Sequence, residues 1–234
     1  MLNGLRQQGL SLVELMIGLL LSTIIVLGGI NLYLSIVRSG ADVYERNRLT
    51  DELRSMNAIL VKDIRRAGFW EANPVADDVW SNPFTASGTD LVIGEKSGEA
   101  ASSCVMYSYD LDTNGAVSDP NDPSATQERF GFRLNNQKVE MFAGDSFSCS
   151  GGTWETLSSP DVLISNLGFS LAQVCLDVAT ETVETCPCNT GDACQHIRTV
   201  NVSITAQLAQ DAAVTETLTE AIKVRNDKFV LSVP

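Results

Sequence analysis

The sequence predicts an α+β protein: one long N-terminal helix, then an antiparallel β-rich domain. Three observations carry this. Residues 15–37 contain no Asp, Glu, Lys or Arg. At ~1.5 Å per helical residue this run is long enough to cross a hydrocarbon core. Leu49, Leu53, Met56, Leu60, Ile64 and Ala67 then recur at helical spacing, with charged residues between them. Finally, Val200, Val202, Ile204, Ala206 and Leu208 alternate with Asn201, Ser203, Thr205 and Gln207, the pattern of a half-buried antiparallel strand. A helix followed by many strands is an α+β order.

Residues 1–9 are short, polar and carry Arg6, and they precede the apolar run. A secretory signal peptide would place a small-residue cleavage site after a shorter apolar stretch, which is absent here. Residues 10–37 are expected to form the membrane half of the helix. A plain single-pass anchor explains that run but not Glu14, because a carboxylate at the edge of the hydrocarbon costs ~2–3 kcal/mol unless it is paired. Residues 38–68 are expected to continue the helix with an amphipathic face, and no proline interrupts it before Pro74. Gly68 is a natural stop.

Residues 69–234 turn polar and loop-rich, with short strand patterns. Strands are expected at Asp90–Gly94, Cys104–Tyr109, Arg129–Leu134, Lys138–Phe142 and Thr199–Leu208. Asn135-Asn136-Gln137 reads as a hairpin turn. Ala221–Arg225 and Phe229–Val233 read as a last strand pair.

Composition narrows the function. The 234 residues carry 16 Lys plus Arg against 29 Asp plus Glu, a net charge of −13. That argues against a direct nucleic-acid binder, which needs a basic face. His196 is the single histidine, which removes HExxH metalloproteases and two-histidine metal sites. GxSxG, P-loop, GxGxxG and CxxC motifs are all absent, so no enzyme is expected.

Residues 6–19, Arg-Gln-Gln-Gly-Leu-Ser-Leu-Val-Glu-Leu-Met-Ile-Gly-Leu, resemble a type IV prepilin leader and its cleavage site. The resemblance implies cleavage by prepilin peptidase between Gly9 and Leu10 and N-methylation of Leu10. It also implies that Glu14 pairs with the new amino terminus of a neighbouring subunit during filament assembly. A buried amine is the partner that Glu14 lacks in an isolated chain. Leu10 stands where phenylalanine is commoner, and Asn31 lies near the position of the mid-helix proline of many major pilins.

Arg46, Arg48, Glu52-Leu53-Arg54, Leu60 and Asp63-Ile64-Arg65-Arg66-Ala67-Gly68-Phe69 resemble minor pilins of the PilW type, as does Val224-Arg225-Asn226. That resemblance implies a type IV pilin-like fold and a structural role in the complex that initiates pilus assembly, at or near the tip. Its implied partners are other minor pilins and the major pilin through their N-terminal helices, prepilin peptidase, a tip adhesin and the inner membrane. The processes implied are pilus biogenesis, twitching motility and adhesion. The precursor would lie in the inner membrane with its β-rich domain in the periplasm. A minor pseudopilin of a type II secretion system and an anchored surface adhesin are the alternatives.

Two residue clusters carry possible chemistry. Asp110, Asp112 and Asn114 occupy positions 1, 3 and 5 of a calcium-loop opening, with Gly115 for the turn and Ala116 offering a backbone carbonyl. Position 12 is Asn121 rather than glutamate, leaving Asp119 or Asp122 as substitutes. The other reading is an Asp/Asn/Gly turn between strands. No cofactor is required, and calcium is the one candidate. The second cluster is Cys104, Cys149, Cys175, Cys186, Cys188 and Cys194. Cys186, Cys188, Cys194 and His196 could hold zinc, but for an exported domain disulfides are expected. Spacing does not decide the pairing. Cys104–Cys149 is expected as one pair, with the other four closing the loop between Cys175 and Cys194, and Cys186 and Cys188 each looking elsewhere.

Overall fold

The computed structural model describes residues 11–72, 78–119, 122, 125–142, 147–188 and 191–231. The chain divides into two compact units, residues 1–47 and 48–234.

The helix α1 runs over Leu12–Ile64, 53 residues, close to the span read from periodicity. Within the first unit its large apolar side chains are exposed on every side of the helix. A helix apolar all round is the composition of a membrane span or a filament core. Three of its polar side chains bond back to the helix backbone. Ser22 Oγ donates to the Leu19 carbonyl at 2.9 Å, Thr23 Oγ1 to Leu20 at 2.8 Å, and Asn31 Nδ2 to Leu27 at 3.0 Å. Such back-bonding lets polar side chains sit in hydrocarbon without an orphaned donor.

In the second unit, the helix buries Leu49, Leu53, Met56, Leu60 and Ile64, and Ala67 follows in the turn beyond. These are the residues of the predicted stripe. The helix ends in tight turns, with Arg66 N–H donating to Asp63 O and Ala67 N–H to Ile64 O. Gly68 takes φ +72°, a conformation that costs a side-chain-bearing residue energy. A Cβ there would lie 2.9 Å from Arg198 Nη2 and 3.0 Å from Thr85 Cγ2. The carbonyls of the turn that ends the helix are capped from the far end of the chain. Arg225 N–H donates to Arg65 O at 3.0 Å, and Asn226 Nδ2 donates to Arg66 O and Ala67 O, each at 3.2 Å. A buried helix end needs such partners.

Two 3-10 turns, Val79–Ser81 and Pro83–Thr85, precede the sheets. The first sheet is a simple antiparallel meander of β1 (Val92–Gly94), β2 (Cys104–Ser108), β3 (Arg129–Asn135), β4 (Lys138–Phe142) and β5 (Trp154–Thr156). The β3–β4 hairpin turns through Asn136 (φ 49°) and Gln137 (φ 62°), two residues in the left-handed region, as tight hairpins prefer.

The second sheet is built on β6 (Val162–Asp177) and β8 (Ala193–Leu208), 16 residues each. Short β7 (Thr182–Glu184) pairs with the end of β6. The other edge of β8 is shared by β9 (Thr215–Lys223) and β10 (Lys228–Leu231), which pair with successive stretches of it. This corrects the expectation that the last two segments pair with each other. A 16-residue strand offers enough edge for both, so each satisfies its backbone on β8. β5, β6 and β7 were not anticipated. β6 changes register between Ile164 and Asn166, and such a shift breaks the period-2 pattern by which strands are recognised.

One apolar cluster joins the helix stripe to inward residues of both sheets, among them Val105, Phe132 and Val139 from the first and Ile164, Phe169, Val202 and Ile204 from the second. The helix stripe is therefore part of the domain core.

Candidate functional site

Three places bear on function: the N-terminal helix, its anchorage on the first sheet, and the acidic loop with the disulfides. Gly9 and Leu10 lie outside the described residues. Glu14 lies in the first turn of α1, exposed, where the positive end of the helix dipole favours a carboxylate. By length and composition α1 is long and apolar enough to cross a membrane.

The anchorage centres on Asp63. Its carboxylate accepts the Tyr107 hydroxyl at 2.6 Å and the Tyr109 hydroxyl at 2.9 Å. Arg66, one turn on, donates to Tyr109 Oη at 3.2 Å and lies 4.1 Å over the same ring. Tyr109 stacks on Phe130 with centroids 4.0 Å apart. Burial, with the Asp63 carboxylate adding to it, pushes both phenol pKa values above the ordinary 10.0. The sequence motif around Asp63 is thus a polar clasp between helix and sheet, a role its spacing alone did not indicate.

A second clasp holds the C-terminal segment. Arg198, 2% exposed, donates to Asp90 Oδ1 at 2.6 Å and to the Asn226 carbonyl at 3.0 Å. Lys228 donates to the other Asp90 oxygen at 2.6 Å. Asp90 therefore ties β8 to β10, and Asn226, which accepts from Arg198, carries the link on to the helix end.

The acidic loop folds back on its own backbone. Asp110, 1% exposed, accepts N–H groups from Asn114 at 3.1 Å, Gly115 at 3.0 Å and Glu71 at 3.1 Å. Asn114 Oδ1 accepts the Ala116 N–H at 2.8 Å, and Asp112 accepts from Asn114. Trp70 Nε1 donates to the Gly115 carbonyl at 2.9 Å. The third carboxylate that gathers with Asp110 and Asp112 is Glu128, 0% exposed, in place of Asp119 or Asp122. It accepts from Leu111 N–H at 3.1 Å and Ser118 N–H at 2.8 Å. Glu128 lies well past the loop in sequence, so no ligand spacing marks it. Its two oxygens and those of Asp110 have hydrogen-bond donors without a cation, which meets the requirement for buried carboxylates.

The cysteines pair as Cys104–Cys149, Cys175–Cys186 and Cys188–Cys194. Their sulfurs are thereby consumed, so the grouping of Cys175, Cys194 and His196 is not a thiolate metal site. The first bridge is buttressed by Arg133, which donates to the Cys149 carbonyl at 2.7 Å and to Glu140 at 2.8 Å and lies 4.1 Å over the Trp154 ring.

An apolar N-terminal helix whose amphipathic continuation is clasped onto disulfide-bonded antiparallel sheets defines a pilin-like α+β protein. The chain belongs to the family described as prepilin peptidase-dependent protein B, a pilin-related family whose model matches residues 42–224. It is 24% identical over 159 residues to the Escherichia coli K12 protein named prepilin peptidase-dependent protein B, covering 68% of this chain and 74% of that one. It is 27% identical over 106 residues to an uncharacterized protein of Haemophilus influenzae, covering 40% of this chain and 44% of that one. No solved structure matches it. The family match begins after the apolar segment, so it is independent of the leader motif.

Proposed function

We propose that this chain is a minor pilin of the PilW type, a non-catalytic subunit of the complex that initiates assembly of a type IV pilus. Prepilin peptidase would cut after Gly9, and Leu10 would become the methylated terminus. The precursor would sit in the inner membrane by residues 10–37 with its β-rich domain in the periplasm. On assembly the helix would pass from lipid into a bundle of pilin helices, alongside other minor pilins, the major pilin and a tip adhesin.

The observation that carries this reading is the sequence from Gly9 to Glu14, set directly against a helix apolar on all sides. Family membership supports it from the other end of the chain, since the name of the family already joins it to prepilin peptidase. Glu14 then has a physical purpose: exposed in the first helical turn, it is the counter-charge for a buried amine. The acidic loop enters as a self-capped turn, because its buried carboxylates already accept backbone N–H groups.

The test is a deletion strain scored for surface pili and for secreted enzymes, complemented with wild type or with Glu14→Ala. Loss of pili with intact secretion, restored by wild type alone, supports the proposal. Retained pili with failed secretion points to a pseudopilin instead. Retention of both with loss of surface binding points to an anchored adhesin.

A further inference from the structure

The acidity of the chain is not uniform. Five of its 16 lysines and arginines line one groove of about 680 Å³ between the second half of α1 and β9. Arg54 and Lys62 come from the helix, Arg65 and Arg66 from the turn that ends it, and Arg225 from the segment that caps that end. Arg54, Ala58, Val61 and Arg65 follow one another at spacings of 4, 3 and 4, so they share one face, with Lys62 beside them. Glu220 is the one carboxylate among the lining residues. Arg66 is engaged with Tyr109. The side chains of Arg54, Lys62, Arg65 and Arg225 make no hydrogen bond or ion pair among the described residues. A single lining carboxylate leaves these four exposed cations in excess, so an anionic occupant is attracted to this groove even on a chain of net charge −13.

We infer that this groove docks an acidic peptide segment of a partner protein, whose Asp or Glu side chains pair with Arg54, Lys62, Arg65 and Arg225. The shape and charge favour a peptide over an extended polyanion. Ala58 and Val61 give the groove an apolar floor between its cations, which suits side-chain methylenes and not a phosphate chain. The groove is short, and beyond it a nucleic acid would run onto an acidic protein. Arginine forks also hold carboxylates in bidentate geometry.

The test uses the full chain in neutral detergent and fluorescence anisotropy of a labelled hexaglutamate peptide. Labelled oligothymidylate and competing glycerol phosphate are run beside it. Three variants accompany the wild type: the reversal R54E/R65E/R225E, the charge-keeping R54K/R65K/R225K, and Glu220→Lys. Hexaglutamate binding should weaken about tenfold or more in the reversal and weaken with added salt. It should persist in the lysine variant and tighten in Glu220→Lys, a gain that misfolding cannot produce. The inference is overturned if hexaglutamate does not bind, or if the reversal leaves binding unchanged. It is also overturned if oligothymidylate or glycerol phosphate binds more tightly than the peptide. Binding is read without any filament, so this inference and the pilus proposal fail separately.

Discussion

Asp63 on the helix accepts the hydroxyl of Tyr107 on β2 at 2.6 Å. With Tyr109 at 2.9 Å, one carboxylate ties α1 to the first sheet. Hydrogen bonds to a charged group contribute ~1.5–3 kcal/mol each. Asp63→Asn, which keeps the shape and loses the charge, should lower stability by about 2–3 kcal/mol in urea unfolding followed by near-ultraviolet circular dichroism. A double-mutant cycle with Tyr107→Phe should show positive coupling, and strictly additive losses would mean that the clasp is not cooperative.

The same phenols set an alkaline limit. Their pKa values are raised above 10.0, first by burial and then by Asp63. The folded state therefore holds these protons where the unfolded chain releases them. Their contribution is complete below pH 10 and is lost as pH rises through the folded-state values. The double variant Tyr107→Phe/Tyr109→Phe should flatten the fall in melting temperature above pH 10.

His196 gives the opposite slope on the acid side. Burial, then Lys228 and Arg198, lower its pKa from 6.5, with Asp90 opposing them. Folding therefore favours the neutral ring. Stability is full above pH 6.5 and falls as pH drops toward the folded-state value. His196→Gln should remove that part of the acid limb, and an unchanged profile between pH 7 and pH 5 would exclude His196 as its source.

Asp90 serves two cations, one of them the buried Arg198. Asp90→Ala leaves a guanidinium buried without its carboxylate and should cost about 3–5 kcal/mol in urea unfolding. Arg48 and Asp161 form a pair whose side chains are 49% and 43% exposed. Arg48→Ala should cost under about 1 kcal/mol in the same measurement, because water already screens that pair.

The disulfides should rank by the length of chain they close. Cys104–Cys149 spans 45 residues and Cys188–Cys194 spans six. Chain-entropy arguments assign about 4 kcal/mol to the longer loop and about 2 kcal/mol to the shorter. Paired serine substitutions, compared by melting temperature, should follow that order. In the same assay a calcium chelator should leave the wild type unshifted, since the carboxylates of Asp110 and Glu128 are already satisfied by N–H donors.

Much of the architecture was legible because it is written in local periodicity. The buried stripe from Leu49 to Ala67 follows from a 3.6-residue repeat, and the turn after β3 from Asn136, a residue type that tolerates a positive φ. β8 follows from alternation, although it extends six residues upstream of Thr199. Each of these depends only on near neighbours in the chain.

What only the tertiary structure decided depends on which distant segments meet. β6 was hidden by the register shift after Ile164. The separate docking of β9 and β10 on β8 depends on how much edge a long strand leaves open. Glu128 beside Asp110, Asn226 on the helix end and the two tyrosines on Asp63 each join residues far apart in sequence. So does the groove in which Arg225 joins Arg54 and Arg65. Such pairings carry no repeat for a linear reading to detect, because they are selected by burial and hydrogen-bond satisfaction once the core has closed.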